Sequence, residues 1–366
     1  MKFCNQYMSQ KNLGVLTSGG DCPGLNAVLR AIVCSSDKRG FKIIGFHDGF
    51  EGLLAPDAFT VLTKTNTSGI MQVGGTILGT TNRGHFTIKA EAGKKVLVPE
   101  HVVKKASQIC HNLRLDGLIV IGGDGSMTIA LQLYQAGFPV IGVPKTIDND
   151  LEATSMTFGF DSAVACATDA LDRLHTTAAS HKRVMILQVM GRHAGWIALW
   201  SGLAGGADMI LIPEIPFHLE KITEEIKRRN AQGNRSTIIV IAEGARAQKG
   251  KQFSKGTMHG ESRLGGIGEM LCQEIERRTG QETRVCVLGH LQRGGPPTTL
   301  DRILGTRFGV KAVELVDQKK FGTMVSYHDG RVLDVPIAHA IHRMKTISHD
   351  DQMIEDARAI GISFGA

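Results

Sequence analysis

Short runs of aliphatic and β-branched residues recur along the chain, and stretches with helical spacing of apolar positions fall between them. The runs at 13–17, 42–46, 118–121, 140–143, 183–189, 209–212, 237–242 and 285–288 predict strands. Several are apolar throughout, the pattern of parallel strands buried on both faces. Apolar positions three and four apart predict helices over 23–36, 126–136, 162–176, 219–231, 264–279 and 300–317. Strand-helix alternation of this kind predicts an α/β protein with doubly wound, mainly parallel sheets. That many strands exceed a single doubly wound half, so two lobes are expected. Residues 64–99 are rich in Gly, Thr and Lys with a weak pattern, and are expected to form loop and a short helix. No long internal repeat, low-complexity segment or flexible linker is visible.

Composition narrows the class. A chain of 366 residues can hold two domains. The 44 glycines and the 5% share of aromatics suit many tight strand-to-helix turns better than a β-sandwich. The net charge of +7 fits ordinary solubility as well as attraction of anionic substrates. No block of like charges suggests a nucleic-acid partner. The seven cysteines, Cys4, Cys22, Cys34, Cys110, Cys166, Cys272 and Cys286, are odd in number and form no CxxC. They argue against a disulfide framework or a zinc site and for the reduced thiols of a cytoplasmic protein. The start, MKFCNQYMSQK, lacks an apolar signal core, and no apolar run approaches the roughly 20 residues of a membrane span. No membrane association is expected.

Candidate chemistry lies at predicted strand ends. TSGGDCPGLNAVLRAI follows the first strand. Gly19 and Gly20 suit a tight turn, Pro23 suits a first helical position, and the helix start could face an anion. Read alone, it is better taken as a plain βα turn that needs glycine. GGDGS at 122–126 sets Asp124 on a glycine turn ahead of a helix, which suits a Mg²⁺-nucleotide phosphate site. Gly123 and Gly125 let backbone approach phosphate oxygens. PKTIDND at 144–150 crowds Asp148, Asn149 and Asp150 into one loop. Asp148 could take a proton from an attacking hydroxyl, and Asp124 and Asp150 could hold a hard cation. Arg183, Arg192, Arg284, His290 and Arg293 lie in loops at strand ends; taken singly each reads as a surface ion-pair partner, but as a set beside strand ends and glycines they suit forked recognition of phosphate. Glu243 ends another strand and could accept sugar hydroxyls. His85, His101, His111, His218 and His328 show no ligand spacing. Trp196 and Trp200, four apart on a helix, suit packing more than base stacking.

GVLTSGGDCPGLNAVLR, GGDGS, PKTIDND, MGRHAGW, PEIPF and GHLQRGG occur in this order, and together they resemble the 6-phosphofructokinases over nearly the whole chain. The resemblance implies two Rossmann-like lobes in the phosphofructokinase fold. One lobe would take residues 1–159 plus about 292–342 and bind nucleotide. The other would take 160–291 plus about 343–366 and bind the sugar phosphate. It implies phosphoryl transfer to the C1 hydroxyl of fructose 6-phosphate, with Asp148 as general base and Thr146 and Arg192 beside it in catalysis. Gly20, Arg83, Gly123, Asp124, Gly125 and Ser126 would line the donor, and Asp124 and Asp150 would organise Mg²⁺. Thr146, Ile147, Asp148, Met190, Gly191, Arg192 and Glu243 would hold the sugar. Arg183, Arg284, His290, Leu291, Gln292 and Arg293 would surround its 6-phosphate. In the family the counterparts of Arg183 and Arg284 reach in from a neighbouring subunit, which implies a homodimer or homotetramer.

The donor signature is mixed. Pyrophosphate users of the family typically carry Asp in place of Gly125 and Lys in place of Lys145, so the two positions disagree. Gly125 leaves room for an α-phosphate that an Asp would crowd and repel, whereas Lys145 offers a cation that either donor could use. ATP is therefore the expected donor. A reversible pyrophosphate-dependent enzyme is the nearest alternative. A kinase of NAD type, suggested by GGDG, and a catalytically silent nucleotide-binding subunit are more distant ones.

Overall fold

The structure, a computed structural model, describes residues 11–55, 57–81, 83–87, 89–91, 94–248, 254–258, 261–264 and 266–366. Cys4 lies outside them; the other six cysteines are free thiols. The chain opens with β1 (Lys11–Thr17), α1 (Leu25–Asp37), β2 (Phe41–Phe46), a 3-10 turn (Gly49–Leu53), β3 (Phe59–Leu62), β4 (Lys89–Glu91) and β5 (Lys94–Val96). There follow α2 (Glu100–Asn112), β6 (Leu115–Gly122), α3 (Asp124–Gln135), β7 (Val140–Pro144) and α4 (Phe160–His181). Next come β8 (Val184–Val189), α5 (Trp196–Ala204), β9 (Met209–Leu211), α6 (Leu219–Ala231), β10 (Thr237–Ala242), β11 (Ser254–Met258) and β12 (Glu261–Leu264). The last part holds α7 (Ile267–Thr279), β13 (Thr283–Val287), a second 3-10 turn (Gly289–Arg293), α8 (Thr299–Asp317), β14 (Thr323–His328), β15 (Arg331–Pro336), α9 (Ile337–Ala340) and α10 (Gln352–Ala359).

The chain divides into two compact units. The first takes the described residues up to Thr146, then Leu151–Phe158 and Thr299–Arg343; the second takes Ile147–Asp150, Gly159–Thr298 and Met344–Ala366. The first is built on a seven-stranded sheet ordered β15-β14-β7-β6-β1-β2-β3. Pairs from β14 to β2 are parallel, and both edges are closed by antiparallel strands. Successive side chains of a strand point to opposite faces, and β1, β6 and β7 are buried at almost every position, so both of their faces are covered. Leu118 and Val120 enter a core with Val102, Met127, Leu133 and Ile337 from α2, α3 and α9. The alternate residues Ile119 and Ile121 are equally buried. α1 and α8 pack against each other, and glycines permit it. A Cβ on Gly309 would stand 2.7 Å from the Val28 carbonyl oxygen, and one on Gly305 3.1 Å from that of Gly24.

The second unit carries a parallel four-stranded sheet ordered β13-β8-β10-β9. Val184, Ile186, Ile239 and Ile241 form a core with Ile222 and Ile226 of α6 and Leu271 and Ile275 of α7. In both sheets sequence order reverses beside one strand. β1 has β2 on one side and β6 on the other; β8 has β10 on one side and β13 on the other. Ligands of open α/β sheets bind where the order reverses, beyond the strands' carboxyl ends.

Several expectations need correction. Among the described residues 64–99 contain no helix but the β4–β5 hairpin, and the loop before it is held by side-chain hydrogen bonds. Pro23 is not the first helical residue. Gly24 adopts φ +105°, with Phe158 2.8 Å from where a Cβ would stand, so the chain turns there and α1 starts at Leu25. Residues 22–29 are buried, so the start of α1 is packed against protein. The plain βα turn is the better description. Residues 147–150 and 292–298 fall with the second unit instead of the first. Local bonds explain it: Lys345 N–H donates to the Asp150 carbonyl (2.9 Å), and Thr298 N–H to Ser162 Oγ (3.0 Å). The helix α2 and the hairpin β14–β15 were not anticipated.

Candidate functional site

In the first unit three strand ends abut. Beyond β1, Ser18 N–H donates to the Ile121 carbonyl of β6 (2.9 Å), and beyond β7, Lys145 N–H donates to that of Gly122 (2.9 Å). Gly122 has no room for a side chain, since a Cβ would meet Ser126 at 2.3 Å and the Ser18 carbonyl oxygen at 3.2 Å. A Cβ on Gly123 would lie 3.3 Å from the Lys145 carbonyl oxygen. The glycines thus allow α3 to begin at the strand end with Asp124 as its first residue. The first amides of a helix have no intrahelical acceptor and carry its positive dipole end. Asp124 and Gly125 are half-exposed there, and Ser126 is buried.

A second wall comes from residues 73–80. The Asn26 amide donates to the carbonyls of Val73 (3.0 Å) and Gly74 (3.2 Å), and its oxygen accepts from Ile77 N–H (2.9 Å). Thr17 Oγ1 donates to the Gly79 carbonyl (2.8 Å), and Thr80 Oγ1 to that of Gly19 (2.6 Å). These bonds dock the loop on the end of β1, next to Gly20. Arg83 follows and is exposed. Asn26 carries no functional signal in sequence, because its role appears only once residues 73–77 are beside it.

The loop after β7 alternates. Ile147 and Asn149 are buried at 1% and 2% exposure, whereas Thr146, Asp148 and Asp150 are half-exposed. Asn149 takes φ +51°, which keeps the loop turning. Asp148 and Asp150 therefore stand apart from the asparagine between them. Ile147 has its side chain buried, so only its backbone remains available to a ligand. Lys145 is 4% exposed, and its ammonium donates to the Gly20 carbonyl oxygen. The Thr146 carbonyl accepts from Thr157 Oγ1 (2.6 Å). Among the described residues no three His, Cys, Asp or Glu cluster as a metal site.

In the second unit the loops after β8 and β10 are stitched together. Gly244 N–H donates to the Gly191 carbonyl (3.0 Å), and a Cβ on Gly244 would fall 2.0 Å from the Arg192 carbonyl oxygen. Glu243 is consequently held close to Arg192. Burial raises its carboxyl pKa, while Arg192, Arg293 and His290 act in the opposite direction. One carboxylate and three basic groups thus converge on the carboxyl ends of β8, β10 and β13. His193 is lowered by burial and by Arg192. Leu291 is 68% exposed and can contact a ligand from the rim.

Three further residues of the expected phosphate set stand apart from His290 and Arg293. Gln292 is fully buried, and its oxygen accepts from Met190 N–H (2.8 Å), which fixes the Met190 backbone. Arg183 and Arg284 sit at the opposite ends of their strands from His290 and Arg293. Arg183 precedes β8, and Arg284 is the second residue of β13, whereas Met190 and His290 follow those strands. At about 3.3 Å per residue, the seven residues from Arg183 to Met190 span roughly 20 Å. Arg183 pairs with Glu282 (2.6 Å), and Arg284 with Glu282 (2.5 Å) and Glu276 (3.1 Å). One chain cannot bring all four basic residues to one phosphate. Sequence proximity to strands did not reveal which end each occupied.

Lys345 lies in no motif, and nothing in its sequence neighbourhood marks it. Its ammonium lies 5.1 Å over the Trp196 ring, Trp196 Nε1 donates to its carbonyl (3.1 Å), and burial lowers its pKa to about 8 against the pull of Asp150.

Comparison with known proteins agrees with this layout. Residues 12–316 match the family model described as Phosphofructokinase. The ATP-dependent 6-phosphofructokinase of Chloroflexus aggregans is 51% identical over 356 residues, covering 97% of this chain and 98% of that protein. The solved phosphofructokinase of Saccharomyces cerevisiae superposes with a TM-score of 0.78 at 28% identity over 96% of this chain, which spans 46% of the yeast one. A pyrophosphate-dependent phosphofructokinase from Nitrosospira multiformis shares the fold, with a TM-score of 0.81 at 20% identity over 97% of this chain and 92% of that one. This chain belongs to the phosphofructokinase family.

Proposed function

We propose that this protein is an ATP-dependent 6-phosphofructokinase that phosphorylates the C1 hydroxyl of fructose 6-phosphate. The observation that carries the reading is the near full-length match at 51% identity to a protein named for that activity. The first unit holds the nucleotide, with Gly20, Arg83 and 123–126 along the donor. The second holds the sugar phosphate, with Met190, Gly191, Arg192 and Glu243 at the sugar and His290, Leu291 and Arg293 at the phosphate. Asp148 takes the C1 hydroxyl proton as the oxygen attacks the γ-phosphorus and the bond to the β-phosphate oxygen breaks, releasing ADP. Thr146 and Arg192 orient the acceptor. Such a transfer needs positioning and charge neutralisation more than covalent chemistry.

Asp124 and Asp150 are the residues to hold Mg²⁺. Magnesium commonly takes one or two protein carboxylates and completes its shell with phosphate and water oxygens, so a cluster of three protein acids is not required. Once bound, the ion neutralises charge on the transferred phosphate. Arg183 and Arg284 complete the 6-phosphate site of a neighbouring subunit, so the working unit is a homodimer or homotetramer. Among the described residues no helix is long and apolar enough to cross a membrane. The reading places the enzyme in the cytoplasm, where free thiols persist.

Pyrophosphate use is the second reading, favoured by Lys145 alone. That lysine is nearly buried and donates to a backbone carbonyl, which supports a structural role for it. A coupled assay of fructose 6-phosphate with ATP and, in parallel, with pyrophosphate is expected to give turnover with ATP only. Turnover with pyrophosphate and none with ATP would reverse the assignment.

A further inference from the structure

Glu51 lies on the 3-10 turn Gly49–Leu53, away from every motif discussed above. This turn sits against the end of β1, since a Cβ on Gly49 would meet the Thr17 carbonyl oxygen at 3.1 Å. The segment carrying Arg83 is fastened to it in three ways. Glu51 Oε1 accepts from Phe86 N–H (3.0 Å), and Oε2 pairs with His85 Nδ1 (2.9 Å). Gly84 takes φ +110° and passes so close that a Cβ there would stand 2.4 Å from the carboxylate. Phe86, 9% exposed, stacks on Phe50 with ring centroids 5.4 Å apart. Among the described residues Arg83 is held by a local turn, its N–H donating to Thr81 Oγ1 (3.1 Å).

A long exposed arginine needs a fixed backbone to recognise a phosphate without a large ordering cost. We infer that Glu51 is a positioning residue for the nucleotide, holding 84–86 so that Arg83 projects beside the glycine turn 18–20. A carboxylate with both oxygens engaged fixes two points of the segment at once, and the Phe50–Phe86 stack supplies a third. A neutral Gln could keep the bond from Phe86 N–H through its amide oxygen, but would set an NH2 group in place of the carboxylate oxygen that faces His85 Nδ1. The inference rests on the proposed ATP use, and the test separates the two.

Equilibrium binding of ATP with Mg²⁺ is measured by calorimetry alongside steady-state kinetics, for wild type, Glu51→Ala, Glu51→Gln, Arg83→Ala and the Glu51→Ala/Arg83→Ala double variant. Glu51→Ala is expected to weaken ATP binding and raise its KM about tenfold, with kcat and the KM for fructose 6-phosphate within about twofold of wild type. Glu51→Gln should fall between. Because Glu51 acts through Arg83, the double variant should bind ATP no more weakly than Arg83→Ala alone. Additive losses, or equal effects on both substrates, would show that Glu51 serves general stability and overturn the inference. Unchanged binding in Glu51→Ala would do the same. Wild type that fails to bind ATP at all would instead reject the proposed donor.

Discussion

Asp148 is flanked by two buried residues, Ile147 and Asn149, that anchor the loop from both sides. Substituting its carboxyl should leave that anchoring intact. Asp148→Ser is therefore expected to keep fructose 6-phosphate binding while kcat falls about 10²- to 10⁴-fold, the usual contribution of a general base. Retained turnover in steady-state kinetics would remove Asp148 from the role. Glu243 offers a pH test. Burial disfavours its charged form, so its carboxyl takes up a proton at a higher pH than an ordinary glutamate. Acidification through that raised value removes a charged acceptor from the sugar site, so the KM for fructose 6-phosphate should rise as pH falls. Glu243→Gln should show a higher KM at neutral pH and a shallower rise on acidification than wild type. The candidate base was legible in PKTIDND because two carboxylates in one short loop need a reason. The buried job of Gln292 was not, since a glutamine beside an arginine reads equally as ligand or as scaffold.

Among the elements, the packing of α8 on α1 shows how close approach is encoded. Gly305 and Gly309 lie one turn apart, and each faces a carbonyl of α1 or its cap. Gly309→Ala would place a methyl 2.7 Å from the Val28 oxygen and 2.8 Å from the Ala31 Cβ. Separating the helices is expected to cost about 1–3 kcal/mol, with a melting temperature lower by several degrees in thermal denaturation. Both sheets were legible as elements, because buried parallel strands read as unbroken apolar runs. Their edges were not. β15, with exposure alternating along its length, and β14 form an antiparallel hairpin whose polar positions masked the strand signal. The Gly-rich stretch 64–99 misled in the same manner, since its order comes from distant partners such as Asn26 and Thr17.

For the whole molecule, the separation of basic residues within one chain is the main result. His290 and Arg293 lie beyond the carboxyl end of the second sheet, and Arg183 and Arg284 lie toward its other end. A phosphate clamp using all four requires a second chain. Two inactive variants should then complement each other. Asp148→Ser and Arg284→Ala, each strongly impaired alone, are expected to regain roughly a quarter of wild-type activity when co-assembled as random dimers, because half the dimers are mixed and each holds one intact site. Activity of the mixture no higher than the mean of the two variants would place Arg284 outside a shared site.

The sequence by itself determined the α/β class, the buried strands with the helices between them, and the ordered motifs that mark the family, because these follow from hydrophobic period, glycine at strand ends and crowded carboxylates, all local in the chain. Only the tertiary structure decided which of those residues meet. Strand order makes neighbours of the turn after β1 and the start of α3, and of the loops after β8, β10 and β13. It set Lys145 on the carbonyl of Gly20, Gln292 under Met190 and Glu51 on the N–H of Phe86, contacts between residues 35 to 125 positions apart. The physical reason is that residue type and spacing state what a side chain can do, whereas strand order and the end of the strand it occupies state what it can reach.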